Sequence, residues 1–223
     1  MDVCDLGIER LRGTLRPGLT ENQIWSVLQD TNIAHDGEFI DCRLLTSGPR
    51  TNPWFQESSN RVVHAGELLA FDTDMIGPMG ALADISRSYV VPGRRSSAEQ
   101  RELYALAQEQ VAFNTALLRP GLGFHEFADR SWPVPARFYG NRYMTLVHGV
   151  GLCDEWPAIL NDGDQRASGY DGTFAENMIV SVESYLGADD GREGIKLEQQ
   201  VLITATGAVP FSRIPLAGAL DIE

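Results

Sequence analysis

Phe71-Asp72-Thr73-Asp74-Met75-Ile76, then Gly77-Pro78-Met79-Gly80, then Ala81-Leu82-Ala83-Asp84-Ile85-Ser86-Arg87-Ser88-Tyr89-Val90-Val91 is the stretch on which the fold turns. Two β-prone runs flank a Gly-Pro-Met-Gly segment that reads as a hairpin loop. Residues i and i+2 of a strand face the same side. Asp72 and Asp74 are therefore expected to point together among Leu68, Leu69, Phe71, Met75 and Ile76. Asp84 returns on the neighbouring strand, where the hairpin brings it alongside. A single strand aspartate is ordinarily a solvated edge residue. Three on one half-buried face need a counter-charge, which points to a metal ion.

Working outward, Met178-Ile179-Val180-Ser181-Val182-Glu183-Ser184-Tyr185 and Ile195-Lys196-Leu197-Glu198-Gln199-Gln200-Val201-Leu202-Ile203 read as strands with one glutamate each. Taken singly, Glu183 and Glu198 suit exposed strand positions, with Lys196 as a pairing partner. His148, in Leu146-Val147-His148-Gly149-Val150-Gly151-Leu152, taken singly suits a histidine in a glycine turn. Together the set is five carboxylates and one imidazole, the inventory that two carboxylate-bridged divalent ions require. Hard oxygen donors favour iron or manganese, with zinc, cobalt and nickel as the other divalent candidates. Cys153 lies near His148, but no CxxC exists to support a thiolate site.

A repeat organises the rest. Leu15-Arg16-Pro17-Gly18-Leu19 recurs as Leu118-Arg119-Pro120-Gly121-Leu122. Helical spacing precedes each copy, through Leu6, Ile8, Leu11 and Leu15 and through Leu103, Leu106, Ala107, Val111 and Leu118. Thr20 and Gln23 after the first copy form a capping-box pattern. Strands are expected at 39–46, 68–76 and 82–91 in the first half, and at 144–150, 178–186 and 195–204 in the second. Residues 128–142 and 161–177 are turn-rich and read as loops. The pattern implies an α+β fold built from a duplicated α-then-β unit, one domain over 1–223, with an antiparallel sheet covered by helices on one face.

Composition narrows the function. The chain has 223 residues, with 43% hydrophobic and 22% charged residues, an ordinary globular balance that excludes disorder. Its net charge of −13 excludes a basic nucleic-acid footprint and suits cations. No apolar run is long enough for a membrane span, and no signal peptide is readable at Met1-Asp2-Val3-Cys4-Asp5. Three cysteines, an odd number, imply a reducing, cytoplasmic setting.

These residues resemble the pita-bread metalloenzyme family of methionine aminopeptidase, prolidase, aminopeptidase P and creatinase. The resemblance implies a duplicated α+β fold with a curved antiparallel sheet and a dinuclear centre of Asp, Asp, His, Glu and Glu. Peptidases of the family place their first two aspartates eleven apart, whereas Asp72 and Asp74 straddle that position relative to Asp84. Leu45-Thr46-Ser47-Gly48-Pro49-Arg50-Thr51-Asn52-Pro53-Trp54-Phe55, the Asp-Thr-Asp pair, and His148-Gly149-Val150-Gly151-Leu152-Cys153-Asp154-Glu155-Trp156-Pro157 are similar to the dimethylsulfoniopropionate lyase branch. That resemblance implies six metal ligands: Asp72, Asp74, Asp84, His148, Glu183 and Glu198. It implies Asp154 as catalytic base with Tyr143 beside it, and Trp54, Phe55 and Trp156 as aromatic contacts for a sulfonium. It also implies a small-molecule substrate and a homodimer, and it makes this chain the catalytic domain without the smaller N-terminal domain of the larger relatives. The alternative within the same fold is an Xaa-Pro aminopeptidase or dipeptidase. Against it, the second histidine of the peptidase motif is replaced at Asp154, and Pro53-Trp54-Phe55 occupies another histidine-bearing stretch. Retention of every ligand type argues against a binding module that has lost catalysis.

Overall fold

The computed structural model describes residues 1–216 and 220–221. Helices α1 (Asp2–Thr14) and α2 (Glu21–Ala34) open the chain. Between them Leu15 leaves the helix at φ −61° and ψ 119°, and Gly18 takes φ +92°, where a side chain would be strained. Thr20 then caps α2: its hydroxyl accepts the Gln23 amide N–H while the Gln23 side chain accepts the Thr20 N–H, as the sequence predicts.

The second copy repeats this geometry. Helix α3 (Ala98–Leu117) ends at Leu118 with φ −66° and ψ 123°, Gly121 takes φ +82°, and α4 (Phe124–Arg130) follows. The tethers repeat as well. Gly18 N–H donates to the Val63 carbonyl, and Gly121 N–H to that of Phe174. Val63 N–H donates to Leu19, and Phe174 N–H to Leu122. Glu21 N–H donates to Arg61, and Phe124 N–H to Gly172. Common Pro-Gly punctuation does not reproduce bonds partner for partner; the two halves are copies of one unit.

The first half carries β1 (Phe39–Ile40), β2 (Leu45–Ser47), β3 (Leu68–Phe71), β4 (Met75–Ile76), β5 (Leu82–Ala83) and β6 (Arg87–Val90). The second carries β7 (Thr145–Val150), β8 (Asp154–Leu160), helix α5 (Asp162–Ser168), β9 (Ile179–Leu186), β10 (Ile195–Thr204) and β11 (Gly207–Pro210). Pairing within these ladders is antiparallel, in the orders β2-β3-β6, β1-β4-β5 and β11-β10-β9-β7-β8. The register is also copied: Leu68 faces Val90 and Phe71 faces Arg87, as Ile179 faces Leu202 and Val182 faces Gln199. The halves meet where β6 meets β10. There Glu198 N–H donates to the Ser86 carbonyl, and the Ser88 hydroxyl both accepts the Lys196 N–H and donates to the Lys196 carbonyl.

Two apolar clusters form between helices and strands, Ile8, Leu11, Ile24, Leu28 and Phe71 in the first half and Val111, Phe127, Val147, Val182 and Leu197 in the second, the latter also taking in Leu68 and Val90 of the first. Burying each such side chain is worth roughly 1.5–3 kcal/mol, which fixes the helices onto the strands and leaves the seam between halves for polar groups.

Several expectations need correction: the strands expected over 39–46 and 82–91 are each split in two, with breaks at 41–44 and 84–86, and α4 takes in the start of the 128–142 segment read as loop. The strand expected over 68–76 breaks at Asp72-Thr73-Asp74, because local side-chain bonds replace the ladder. Thr73 N–H donates to Asp72 Oδ1, the Thr73 hydroxyl donates to the Ala83 carbonyl, and the same hydroxyl accepts the Ile85 N–H. Asp74 takes φ +33°, so it is a bend and not strand alternation that presents the two aspartates. The segment 161–177 is not wholly loop, since α5 occupies its start; Gln165 on that helix turns back to accept the Leu160 N–H. Strand β8 follows the glycine turn directly, so Asp154 begins a strand.

Glu21 supports the first half. It is fully buried, and its two oxygens accept the N–H and hydroxyl of Ser47 and of Ser59 and pair with Arg50. Glu21→Ala leaves those donors and part of the arginine charge unmatched, so it is expected to cost about 3 kcal/mol, measured as a lower urea midpoint.

Candidate metal centre

Six side chains from both halves converge at the seam. Asp72 and Asp74 come from the bend after β3, Asp84 from the end of β5, His148 from β7, Glu183 from β9 and Glu198 from β10. Asp74 is 9% exposed and the other five 4% or less, so neither glutamate is the exposed strand residue it suggests when read alone. Glu183 and Glu198 stand opposite each other in the β9–β10 register. The backbone fixes Asp84: its N–H donates to Gln200 Oε1, and its carbonyl accepts the Ser181 hydroxyl.

Potential ligand atoms form three triads, each with its atoms within 4.8 Å of one another: Asp84, His148 and Glu198; Asp72, Asp74 and Asp84; and Asp72, Glu183 and Glu198. His148 Nε2 faces Glu198 Oε1 at 3.3 Å, Glu183 Oε1 at 3.4 Å and Asp84 Oδ2 at 3.6 Å. These separations are long for hydrogen bonds and surround a common point. His148 Nε2, Glu198 Oε1 and Asp74 Oδ2 are buried without a hydrogen-bond partner among the described residues. Buried polar atoms that converge unpaired fit a bound cation, so the residues fit a divalent ion.

The third triad holds a cation of the chain's own. Lys196, on β10 and fully buried, places Nζ 2.9 Å from Asp72 Oδ2, 2.7 Å from Glu183 Oε2 and 3.1 Å from Glu198 Oε2. The Ser86 hydroxyl accepts from Nζ at 2.5 Å and donates to Glu198 Oε2. Read in sequence alone, Lys196 is a surface partner for a strand glutamate. The detectable signal was its alternation: a residue two before Glu198 must share its face.

The electrostatics follow from crowding. Burial, reinforced by Glu198, raises Asp72 and Asp84. Burial and the Asp72 charge push Asp74 up to about 9. Burial and Glu198 push Glu183 to about 7. Glu198 goes the other way: burial would raise it, but Lys196 and His148 outweigh that and hold it well below the usual range. Burial would likewise lower His148, but Asp154, Glu183 and Glu198 raise it.

Above the cluster opens a cavity of about 410 Å³ with Asp72 and Asp74 in its floor. Its walls include Asp41, Leu44, Phe55, Tyr143, Asp154 and Glu155. Asp154 Oδ1 lies 3.3 Å from His148 Nδ1 and accepts the Glu155 N–H at 3.0 Å. Phe55 stacks on Tyr143 with ring centroids 6.2 Å apart. The other two aromatic candidates are elsewhere. Trp54 is buried against Tyr185 with its face 5.6 Å from Lys196 Nζ, and Trp156 is exposed and stacked on Tyr170 at 4.4 Å. Neither lines the cavity; internal stacking partners hold both rings. Glu155, which the sequence does not single out, does line it. A separate cleft of about 560 Å³, lined by His64, Arg94, Arg95 and Arg192 among others, lies away from the ligand cluster.

Two duplicated halves closing on a buried carboxylate–histidine cluster define a metalloenzyme fold. The chain belongs to metallopeptidase family M24, whose pattern matches residues 1–205, and the fold is the pita-bread fold. It is 41% identical over 201 residues to dimethylsulfoniopropionate lyase DddP of Roseovarius nubinhibens, covering 90% of this chain and 45% of that protein. It is 37% identical over 225 residues to DddP of Roseobacter denitrificans, covering 98% of this chain and 50% of that one. The chain thus spans about half the length of these curated relatives. Its backbone is similar to the Xaa-Pro dipeptidase from Bacillus anthracis, with TM-score 0.83 and 20% identity over 99% of this chain and 60% of that one. No helix among the described residues is long and apolar enough to cross a membrane.

The raised carboxylates give a pH test. In protein freed of metal, native Glu183 and Asp74 hold protons that the unfolded chain has lost by about pH 5. The native state then binds more protons, so stability must fall as pH rises from 5 toward 9. The raised His148 acts in the same direction, its contribution being lost as pH rises through its folded pKa, and the lowered Glu198 titrates below this window. The urea midpoint of chelator-treated protein is therefore expected to decline from pH 5 to pH 9. Excess Mn2+, which displaces those protons, should flatten the decline.

Proposed function

We propose that this chain carries a dinuclear-metal-dependent lyase activity that cleaves dimethylsulfoniopropionate to dimethyl sulfide and acrylate by β-elimination. The observation that carries this reading is the cavity lining: carboxylates, aliphatic groups, the Cys42 thiol and two aromatic rings, with no histidine, lysine or arginine among the described residues. Such walls favour a small onium cation and lack the histidine proton shuttles of the peptidase branch. Of the four histidines, only His148 is at the cluster; His64 lines the separate cleft, His35 ends α2 and His125 lies on α4. Identity of 37–41% to the two DddP enzymes supports the same reading.

One ion fits among Asp84, His148, Glu183 and Glu198, and a second among Asp72, Asp74 and Asp84. Iron or manganese suits the oxygen-rich set. When bound, such ions supply positive charge that holds the substrate carboxylate and offsets the negative charge developing beside it.

The chain's own residues do the rest. Asp154 Oδ1 is held by the Glu155 amide and by His148, which leaves Oδ2 to take the proton from the carbon next to the substrate carboxylate. The electrons of that C–H bond form the new double bond. The C–S bond breaks with its pair passing to sulfur, so the sulfonium leaves as neutral dimethyl sulfide. Tyr143 does not compete as base: burial, reinforced by Glu183, raises its phenol far above the ordinary value and keeps it a proton donor. Phe55, 59% exposed and in contact with the cavity, offers its face to the sulfonium, worth roughly 0.5–2 kcal/mol. A homodimer and a cytoplasmic location belong to the same proposal; the three free cysteines suit a reducing compartment.

The test compares dimethylsulfoniopropionate with Xaa-Pro dipeptides after reconstitution with Mn2+ or Fe2+. Release of dimethyl sulfide without dipeptide cleavage is expected; dipeptide cleavage alone moves the chain to the peptidase reading. Asp154→Asn is expected to keep the metal and lower turnover by at least roughly 10²-fold. Turnover within a few-fold of the parent would remove Asp154 as base. Glu183→Gln and His148→Ala should each lower metal content and thermal stability together.

A further inference from the structure

Lys196 is unexplained by the proposed reaction. It is a fully buried cation that neither lines the cavity nor meets solvent. Its four oxygen neighbours, at 2.5–3.1 Å, are one atom each from Asp72, Glu183, Glu198 and Ser86. Its outer faces are covered by the rings of Tyr143 and Trp54, at 5.3 and 5.6 Å from Nζ. The two glutamates are divided between it and the histidine side: each turns Oε2 to the ammonium and Oε1 to His148 Nε2.

Charge counting gives this arrangement a purpose. Asp72, Asp74, Asp84, Glu183 and Glu198 bring five negative charges to one buried volume. Two divalent ions supply four positive charges. Lys196 supplies the fifth, and it does so inside the one triad that the two ion positions do not use. We infer that Lys196 is a built-in third cation of the centre. It closes the Asp72–Glu183–Glu198 triad to external ions and aims the free oxygen of each glutamate at the His148 side. The inference rests on the metal assignment proposed above, but it concerns a difference between variants and not the absolute count.

Removal of the ammonium leaves three carboxylates and a hydroxyl facing an emptied space, an oxygen set suited to a hard divalent cation. Parent, Lys196→Ala and Lys196→Arg are dialysed against Mn2+ and analysed for bound metal. Lys196→Ala is expected to hold about one Mn2+ more per chain than the parent, and the charge-conserving Lys196→Arg no more than the parent. An equal count in Lys196→Ala and parent overturns the inference.

Because Lys196→Ala could unfold without metal, Lys196→Met is measured in parallel. It keeps the bulk and loses the charge, so its thermal midpoint without metal should fall. The rise of that midpoint on adding Mn2+ should exceed the parent's, since the remaining sites face one more uncompensated charge. An equal rise overturns the inference. A parent that takes up no Mn2+ in the same dialysis overturns the metal assignment instead, so the two failures are separately visible.

Discussion

Five carboxylates packed around one imidazole, each with little surface left to water, constrain everything else in this chain. Burying even one unpaired carboxylate is costly, and here Asp72, Asp74, Asp84, Glu183 and Glu198 share ligand distances below 4.8 Å within each triad. Such a cluster holds only where rigid backbone fixes each member and positive charge is supplied. β9 and β10 provide the rigidity for the glutamates through their paired register. The backbone of Asp84 is pinned through Gln200 and Ser181. Arg87, fully buried, clamps the Glu198 carbonyl and the Gln199 side chain from behind.

Much of this was legible in the sequence. The repeated Leu-Arg-Pro-Gly-Leu motif disclosed the duplication because a helix end and a left-handed glycine leave a compact signature, and both copies take nearly the same dihedrals. The five acidic ligand candidates were legible because acidic residues inside apolar strand-forming runs are out of place without a partner. Their presentation was not. Strand alternation pairs Asp72 with Asp74, but the chain brings them together through a bend held by the Thr73 hydroxyl, a hydrogen bond to residues ten and twelve positions on that spacing alone does not reveal.

Aromatic roles were the least legible. Trp54, Phe55 and Trp156 look alike in sequence, yet only Phe55 reaches the cavity. Which face a tryptophan presents depends on Tyr185 and Tyr170, partners distant along the chain. Lys196 and Glu155 escaped for a related reason. A lysine beside a glutamate normally pairs at the surface, and the burial of this one follows from the meeting of β6 and β10, a contact between halves.

That meeting has a consequence for how the molecule holds together. Three of the six converging residues belong to the first half and three to the second, while apolar packing lies mostly within each half, with Leu68 and Val90 of the first joining the cluster of the second. The triad of Asp84, His148 and Glu198 draws on both halves, whereas that of Asp72, Asp74 and Asp84 lies within the first. An ion at that shared triad binds the joined form only, and so would act as a clasp whose strength grows with the logarithm of its free concentration. Metal supply would then set how firmly the two copies stay shut against each other, as well as whether chemistry occurs between them.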